Sequence, residues 1–524
     1  MVIRKAGFVL GVAITMLTVL LAPPAWAAGH GGGGHGGGGS GGGTPPPGPS
    51  SSAAFVKAYS NLAGTSQLGV TAEDVQQTSD LGYIGIATTA SSSKSGATVS
   101  WLLKTSATGT PQWQRQVGCL SGAPGDYSIG VSIVQTSDGG YVLGGGTIGC
   151  GSGSDCPAPS GIQCALVEKV SSSGSVDWAR VYNAGFNGSS ITKIRQTSDG
   201  GLIAAGTTTD ANHNTGGLVL RLDSLGMVQW QRQLGPDGTD NVLLNDAQQT
   251  SDGGYVVAGN LGPQVTNTSA FVAKLDSSGN VTWQQSFNSF DSTGTPTTGN
   301  IVLSIIQASD GGYLAAGHWV SAAQPGQCCA GALLLKLDSA GNLQWQKALS
   351  GGLYCFFNGF NETCANLGAV AYSAHQTSDG GYVLTGDENL KLTDSVPLEP
   401  WIAKVDTSGN LLWQHLYYQT NPASGRPLGE NFSSSVATID GGFYAGGFTE
   451  NVNNGDAEFY AVKTDSSGLA GSTCGDTNPG TTLNSVNPAL TAKVTNVPVS
   501  PVIASVSSSP AATSATSVST QTDC

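Results

Sequence analysis

The stretch Gln249–Tyr255 reads Gln-Thr-Ser-Asp-Gly-Gly-Tyr, and Phe271–Trp283 reads Phe-Val-Ala-Lys-Leu-Asp-Ser-Ser-Gly-Asn-Val-Thr-Trp. Versions of these two motifs recur together seven times along the chain. The aspartates of the first motif are Asp80, Asp138, Asp199, Asp252, Asp310, Asp379 and Asp440, spaced 53 to 69 residues apart. A unit of this period indicates a repeat architecture and decides the fold before any single residue is considered.

Each motif predicts a β-hairpin, because glycine supplies the positive φ that a tight turn between two strands demands. The second motif carries a cation at Lys104, Lys169, Arg221, Lys274, Lys336, Lys404 and Lys463. A glycine follows each cation by five residues, and a tryptophan follows the first six by nine residues. Two hairpins make four short antiparallel strands per unit. We therefore predict an all-β fold, a seven-bladed β-propeller with four strands per blade.

The seventh unit lacks a tryptophan strand after Gly468, and a matching segment stands at the other end of the chain. Phe55-Val-Lys-Ala-Tyr59 is similar to Trp178-Ala-Arg-Val-Tyr182, with Phe55 in the tryptophan position. We predict that Ala54–Asn61 is the outer strand of the last blade. Such a strand closes the ring and covers an exposed sheet edge.

Four regions follow from composition. Residues 1–27 have the positive start, apolar stretch and small-residue cleavage site of a signal peptide. Residues 28–53 are Gly, His, Pro and Ser and predict a flexible linker. Residues 54–475 hold the propeller, and 476–524 are Ser/Thr/Pro-rich and predict a disordered tail.

The formal charge of −14 becomes −16 once Arg4 and Lys5 leave with the signal peptide. This balance argues against nucleic acid as a partner, because phosphate binding needs clustered Lys and Arg. No apolar run after the signal peptide is long enough to span a membrane. We expect a monomer that is secreted or displayed at the cell surface.

The chain has ten cysteines, all after the signal peptide. An even number in an exported protein predicts disulfides rather than metal sites. The candidates are Cys119, Cys150, Cys156, Cys164, Cys328, Cys329, Cys355, Cys364, Cys474 and Cys524. Their connectivity stays open, including whether Cys328-Cys329 is a vicinal bridge or joins two other partners.

With blade strands named a to d from the axis outwards, the a–b and c–d turns share one face of a propeller. Here these turns are short and nearly constant in length, whereas the b–c and d–a connections vary widely. Variable loops on a rigid scaffold are where binding usually occurs, although neutral drift in loop length is the alternative. We call the face with the variable connections the loop-rich face.

The candidate ligand-binding residues on that face are aromatic and polar. They are His318, Trp319, Tyr354, Phe356, Phe357, Phe360, Tyr417, Tyr418 and Arg426. Aromatic faces with a few polar groups suit a sugar or a protein partner. The competing interpretation is that these rings form a small satellite core under the loops.

Catalytic motifs are not found. The sequence has no Gly-x-Ser-x-Gly, no His-Glu-x-x-His and no phosphate-binding glycine loop. No cofactor is predicted beyond a possible Ca²⁺, for which Asp237, Asp240 and Asp246 are placed in one d–a connection. The sevenfold Asp and Lys/Arg are interpreted as scaffold, because one active site does not need seven copies of a turn.

The unit resembles propeller repeats of exported prokaryotic proteins, and its second half is similar to the repeat of quinoprotein dehydrogenases that use pyrroloquinoline quinone. Asp276, Gly279 and Trp283 match the Asp, turn Gly and Trp of that repeat. The resemblance implies a tryptophan that docks neighbouring blades. It places no quinone or Ca²⁺ ligands on residues of this chain.

These observations favour a non-enzymatic binding or scaffold module for a protein or glycan, acting through the loop-rich face. One alternative is a quinoprotein-type oxidoreductase, which predicts a carboxylate and amide cluster near the axis. The other is a glycan-cleaving enzyme, which needs two carboxylates at a suitable separation on the loop-rich face.

Overall fold

The computed structural model describes most of the repeat region and short parts of the tail. The described residues are 54–61, 71–91, 97–118, 127–148, 163–183, 188–209, 214–235, 241–262, 268–290, 299–320, 330–350, 353–357, 362–366, 369–388, 399–417, 430–450, 457–470, 484–486, 489–494, 499–500, 505–508, 512–514 and 518–521. The predicted signal peptide and linker lie outside these ranges.

The described residues form an all-β structure of repeated four-stranded antiparallel sheets, as the two hairpin motifs predict. Six groups, here units 1 to 6, are built from four consecutive strands, called a to d. Unit 1 has β2 (Thr71–Gln77), β3 (Tyr83–Ala90), β4 (Thr98–Thr105) and β5 (Pro111–Gly118); unit 2 has β6 (Tyr127–Gln135), β7 (Tyr141–Ile148), β8 (Cys164–Val170) and β9 (Val176–Asn183); unit 3 has β10 (Gly188–Gln196), β11 (Leu202–Thr209), β12 (Thr215–Leu222) and β13 (Val228–Leu234).

The next three units follow the same plan. Unit 4 has β14 (Asn241–Gln249), β15 (Tyr255–Gly262), β16 (Ser269–Leu275) and β17 (Val281–Phe290); unit 5 has β18 (Ile301–Gln307), β19 (Tyr313–Val320), β20 (Ala330–Leu337) and β21 (Leu343–Ser350); unit 6 has β24 (Ala369–Gln376), β25 (Tyr382–Glu388), β26 (Glu399–Val405) and β27 (Leu411–Leu416). Between units 5 and 6, β22 (Leu353–Phe357) and β23 (Glu362–Asn366) pair as a separate hairpin.

Unit 7 takes its outer strand from the start of the chain. Its first three strands are β28 (Glu430–Ala437), β29 (Phe443–Glu450) and β30 (Ala457–Thr464). Strand β1 (Phe55–Asn61) pairs antiparallel with β30, with Phe55 opposite Lys463. The segment that the sequence selected as strand d of the last unit therefore occupies that position.

The turn of the first motif explains its residue types. In unit 2, the backbone N–H of Gly139 donates to Thr136 O at 2.8 Å, and that of Thr136 donates to Gly140 O at 2.9 Å. Gly139 has φ of 82°, which glycine adopts without steric cost. The Asp138 carboxylate accepts from the Gly140 N–H at 3.0 Å and the Thr136 hydroxyl at 2.6 Å. The motif is thus one turn with its own side-chain hydrogen bonds.

The apolar core lies between successive units rather than in one centre. One cluster joins Ile84 and Leu102 of unit 1 to Ile133 and Leu143 of unit 2. Another joins Tyr83 of unit 1 to Tyr444 of unit 7, whose rings stack with centroids 3.9 Å apart. The first and last units are therefore packed against each other like units that are adjacent in the chain.

The described parts of residues 476–524, the segment predicted from the sequence as a disordered tail, form six short strands. They are β31 (Asn484–Val486), β32 (Ala489–Val494), β33 (Val499–Ser500), β34 (Ser505–Ser508), β35 (Ala512–Ser514) and β36 (Val518–Gln521). Each pairs antiparallel with the outer strand of one unit, in the order 5, 4, 3, 2, 1 and 7. Among the described strands, unit 6 has only its own four.

The described residues contain no helix long and apolar enough to cross a membrane.

Candidate functional site

The seven repeated aspartates pair with the seven repeated cations of the same units. Lys104 Nζ lies 2.9 Å from the Asp80 carboxylate, and Lys336 Nζ lies 2.7 Å from that of Asp310. The remaining pairs are Asp138–Lys169, Asp199–Arg221, Asp252–Lys274, Asp379–Lys404 and Asp440–Lys463. Each pair ties an a–b turn to strand c. These residues hold the frame together, which agrees with their interpretation as scaffold.

The repeated tryptophans dock each unit onto the next. The Trp113 indole N–H donates to Ser172 O in the c–d turn of unit 2 at 3.0 Å, and Trp283 donates to Ser339 O of unit 5 at 3.2 Å. A Cβ on Gly341 would lie 2.7 Å from the Trp283 ring, so only glycine allows this approach. The docking implied by the resemblance is therefore present.

Strand β1 makes the same docking contact from unit 7 to unit 1. A Cβ on Gly109 of unit 1 would lie 2.7 Å from the Phe55 ring. The Tyr59 hydroxyl donates to Gly109 O at 2.6 Å, as the Tyr182 hydroxyl donates to Gly226 O at 2.6 Å between units 2 and 3. Phe55 and Tyr59 thus act as Trp178 and Tyr182 do elsewhere.

Strands a of units 1, 3 and 4 hold a network of buried charges that sequence reasoning missed. Lys193 Nζ lies 2.8 Å from the Asp74 carboxylate, and Arg195 Nη2 lies 2.9 Å from that of Asp246. All four side chains are less than 5% exposed. Burial raises the pKa of Asp246 to about 6, although the charges of Arg195 and Lys193 oppose this shift. The two acids and two cations neutralise one another.

This network joins several units through strand a. The Asp74 carboxylate of unit 1 also accepts from the Ser132 hydroxyl and the Ile133 N–H of unit 2, each at 3.0 Å, and from the Ser434 hydroxyl of unit 7 at 3.1 Å. Asp74 lies at a β-bulge, and every strand a has a bulge at the equivalent position. A bulge turns a side chain out of the regular alternation, which is why a period of two did not reveal these residues.

The network corrects one prediction and bears on an alternative. Asp246 lies within β14 and pairs with Arg195, so it is not part of a connection that could bind Ca²⁺; Asp237 and Asp240 lie outside the described residues. The quinoprotein alternative predicts carboxylates near the axis. Asp74 and Asp246 are carboxylates on first strands, and each is already held by a cation and by backbone N–H groups. Among described residues, no group of three or more His, Cys, Asp or Glu side chains is arranged to hold a metal.

Of the nine predicted ligand-binding residues, the side chains of three are described: His318, Trp319 and Tyr417. His318 lies buried near the end of β19, and the half-buried Trp319 next to it packs against the core between units 4 and 5. Tyr417 is buried between units 6 and 7, with its hydroxyl bonded to Gly468 O. The backbones of Tyr354, Phe356 and Phe357 lie in β22, and Phe360, Tyr418 and Arg426 lie outside the described residues.

The cysteines are described only in part. Cys164 begins β8, is fully buried and is disulfide-bonded. The backbone register places Cys355 of β22 opposite Cys364 of β23. That the other nine cysteines form disulfides stays a prediction.

Two ionisable side chains that sequence reasoning did not select, Tyr372 and Asp387, lie in strands a and b of unit 6. His318 and Asp387 occupy the same position of strand b in units 5 and 6, opposite Ile301 and Val370 of strand a. The Asp387 carboxylate accepts from the Phe432 N–H at 2.9 Å, and burial raises its pKa well above its usual range. The signal that could have found Asp387 is an ionisable residue at the strand-b position that His318 occupies in unit 5.

Comparisons with known proteins add little to this picture. No protein-family model matches the sequence, and a search of curated proteins finds no match. Among solved structures, the chain is similar to a GH43_12 protein retrieved from a capybara gut metagenome, at 9% identity and a TM-score of 0.26. That similarity covers 79% of this chain and 96% of the other. At this TM-score it carries no argument about activity.

Proposed function

We propose that the chain is an exported seven-bladed β-propeller that binds a protein or a glycan through its loop-rich face. The fold part of the proposal is supported by the contacts between units 7 and 1. Phe55 and Tyr59 dock on Gly109, and the Ser434 hydroxyl reaches Asp74, as adjacent units do elsewhere. These contacts favour a closed ring whose two chain ends meet in one blade.

The observation that carries the binding function is the division between repeated and non-repeated residues. The repeated Asp, Lys, Gly and Trp residues are used in turns, ion pairs and docking contacts, for example Asp310–Lys336 and Trp283–Ser339. The connections that differ between units all leave from the opposite end of the sheets. A rigid frame that carries variable loops at one end is suited to presenting a binding surface.

Export is supported by the signal peptide predicted at residues 1–27 and by the even number of cysteines. The aromatic stretch Tyr354–Phe360 is the part of the loop-rich face whose composition best suits a protein or sugar partner.

The test is a binding screen of the purified full chain against a glycan array and against candidate surface proteins. The double variant Phe356→Ala/Phe357→Ala probes the loop-rich face. Its matched control is Leu225→Ala/Met227→Ala, because these two exposed apolar residues lie on the opposite, turn-bearing face. We expect the first variant to lose binding and the second to keep it. Binding that is lost only in the control, or no binding by the parent, would contradict the proposal.

A further inference from the structure

The hairpin of β22 and β23 stands apart from the seven repeated units. It lies in the connection from Ser350 to Ala369, which is longer than any other connection from strand d of one unit to strand a of the next. Among the described strands, β22 and β23 pair only with each other. A two-stranded hairpin on its own is at best marginally stable in water, so a further constraint on this one is expected.

The register of the hairpin places two cysteines directly opposite each other. Cys355 of β22 pairs with Cys364 of β23, between the pairs Tyr354–Ala365 and Phe356–Thr363. Directly opposite residues of antiparallel strands have Cα atoms about 4.5 or about 5.5 Å apart, depending on the type of pair. Both values lie within the range of about 4.4 to 6.8 Å over which disulfides form. The backbone alone therefore brings these two cysteines within bonding reach.

No other pair of cysteines is placed in this way by the part of the chain that the structure describes. Cys164 is the only other cysteine in a described strand, and it is already disulfide-bonded. Cys328 and Cys329, which precede β20 in the sequence, are the competing partners. If Cys355 were joined to one of them, the strand pairing would still hold Cys364 opposite that bridge. A thiolate held there exchanges into the bridge, which favours the pair within the hairpin.

We propose that Cys355 and Cys364 form a disulfide that closes the β22–β23 hairpin. The bond forms by exchange with an oxidant that carries an exchangeable disulfide and works outside the cytosol, so the step requires export, as the proposed function does. One cysteine thiolate attacks the oxidant and forms a mixed disulfide, and the other thiolate then displaces the oxidant. The two cysteines lose two protons and two electrons, and the oxidant leaves as two thiols.

The bridge fixes the arrangement of the aromatic positions in this stretch. Positions alternate between the two faces of a strand, so Tyr354 and Phe356 occupy one face, and Phe357 occupies the other together with Cys355. A closed hairpin keeps this arrangement before any partner arrives, and less conformational entropy is then lost on binding. The loop-rich face thus carries one rigid element that does not belong to the repeated units.

Trypsin separates the competing partners, because lysines lie between the two groups of cysteines. The relevant products are peptide 348–391 with Cys355 and Cys364, and peptide 275–336 with Cys328 and Cys329. The full chain is purified after export, alkylated without reduction, digested and analysed by mass spectrometry. We expect peptide 348–391 on its own, unalkylated and two hydrogens lighter than its reduced form.

The same digest contains the outcomes that would overturn the proposal. Peptide 348–391 cross-linked to peptide 275–336, or to a second copy of itself, would show a different pairing. Alkylation of both its cysteines while Cys164 resists alkylation would show that an oxidised chain lacks this bridge. Alkylation of Cys164 as well would overturn the bridge and the proposed export together.

Two matched variants test the pairing from both sides. Cys355→Ser is expected to release one thiol, at Cys364, and Cys364→Ser is expected to release one thiol, at Cys355. A thiol released at Cys328 or Cys329 instead would overturn the assignment. Amide hydrogen exchange tests the rigidity of the hairpin. We expect the amides of 353–366 to exchange at least about tenfold faster in either variant than in the parent, and unchanged exchange would show that the bridge does not hold the hairpin.

Discussion

The backbone N–H of Ile439, in the a–b turn of the last unit, donates to the side-chain oxygen of Gln77 in the first unit at 2.9 Å. The same bond links neighbours in chain order, as between Ser137 and Gln196 at 2.9 Å and between Ser198 and Gln249 at 2.8 Å. The donors sit one residue before the turn aspartate. Each glutamine ends strand a of the following unit, so the bonds tie the turns of adjacent units together.

The seventh unit breaks this pattern, because Ala437 stands where the other units have glutamine. Ser378 of unit 6 consequently has no glutamine to donate to. We expect Ala437→Gln to raise the free energy of unfolding by about 1 kcal/mol, the usual value of one added hydrogen bond. Urea unfolding measures the change, and Gln196→Ala is the reciprocal control, with a loss of similar size. A neutral or destabilising Ala437→Gln would show that unit 6 does not meet unit 7 as the other units meet.

Glu168 predicts an unusual pH dependence. Its carboxyl group is fully buried in β8, neither oxygen has a hydrogen-bond partner in the described structure, and burial raises its pKa from 4.5 to about 8. Between pH 4.5 and about pH 8, the folded chain therefore keeps a proton on Glu168 that the unfolded chain has released. Its contribution to stability is present below about pH 4.5 and falls as pH rises to about 8, by up to roughly 1.4 kcal/mol per pH unit.

Replacement of Glu168 tests this dependence. The equivalent residues Leu103, Leu220 and Leu335 of units 1, 3 and 5 are apolar. We expect Glu168→Leu to stabilise the protein at pH 8 by more than at pH 5, as measured by thermal unfolding at both values. Glu168→Gln is the control, because it removes the titration while leaving a polar group buried. An equal effect of Glu168→Leu at both pH values would show that this carboxyl is not held protonated.

The buried charge network predicts strong coupling between Asp74 and Lys193. Asp74→Asn leaves the Lys193 ammonium without its counter-charge, and breaking such a buried pair costs about 3–5 kcal/mol. Adding Lys193→Met removes the stranded charge, so the double variant is expected to be more stable than Asp74→Asn alone. The control is Asp80→Asn, because the Asp80 side chain is 53% exposed and the buried Lys104 Nζ also donates to Thr105 O and Gln112 Oε1. We expect it to cost less than Asp74→Asn, about 1 kcal/mol. Additive effects of the two network substitutions would contradict the coupling.

The contact between units 7 and 1 can be compared with the equivalent contact between units 2 and 3. Tyr59→Phe and Tyr182→Phe each remove one hydroxyl that donates to a turn-glycine carbonyl at 2.6 Å. Each is expected to cost about 1 kcal/mol in denaturant unfolding. A cost for Tyr182→Phe with none for Tyr59→Phe would mean that β1 is not docked on unit 1 in solution.

Local chemistry explains which parts of the fold could be predicted from the sequence. The turn of Asp138 and Gly139 is set by backbone conformation and by its own side chains, so a short motif is enough to identify it. Phe55 was recognisable because it repeats the spacing to a tyrosine seen at Trp178 and Tyr182. Both depend on residues that are close in sequence or copied from unit to unit.

The buried charge network and the equivalence of His318 and Asp387 could not be predicted in the same way. Asp74, Lys193 and Asp246 belong to different units and differ in residue type at one position, so repetition hides their partnership. A β-bulge precedes each of these three residues and shifts the alternation of buried and exposed side chains along the strand. The pattern by which buried positions are recognised in a sequence therefore fails there. His318 was selected as a site residue, but its relation to Asp387 follows only from the strand register.

Strand β1 has a consequence for how the chain reaches its native state. It precedes every other described strand in the chain, whereas its partner β30 comes only in unit 7, with Phe55 opposite Lys463. Closing a loop of roughly 400 residues is entropically costly and makes this pairing a late event. Until then, β1 and the edge of β30 are both open to proteases and to other chains. A chain interrupted before unit 7 cannot form the β1–β30 pairing, so this one pairing distinguishes chains that contain unit 7 from chains that lack it.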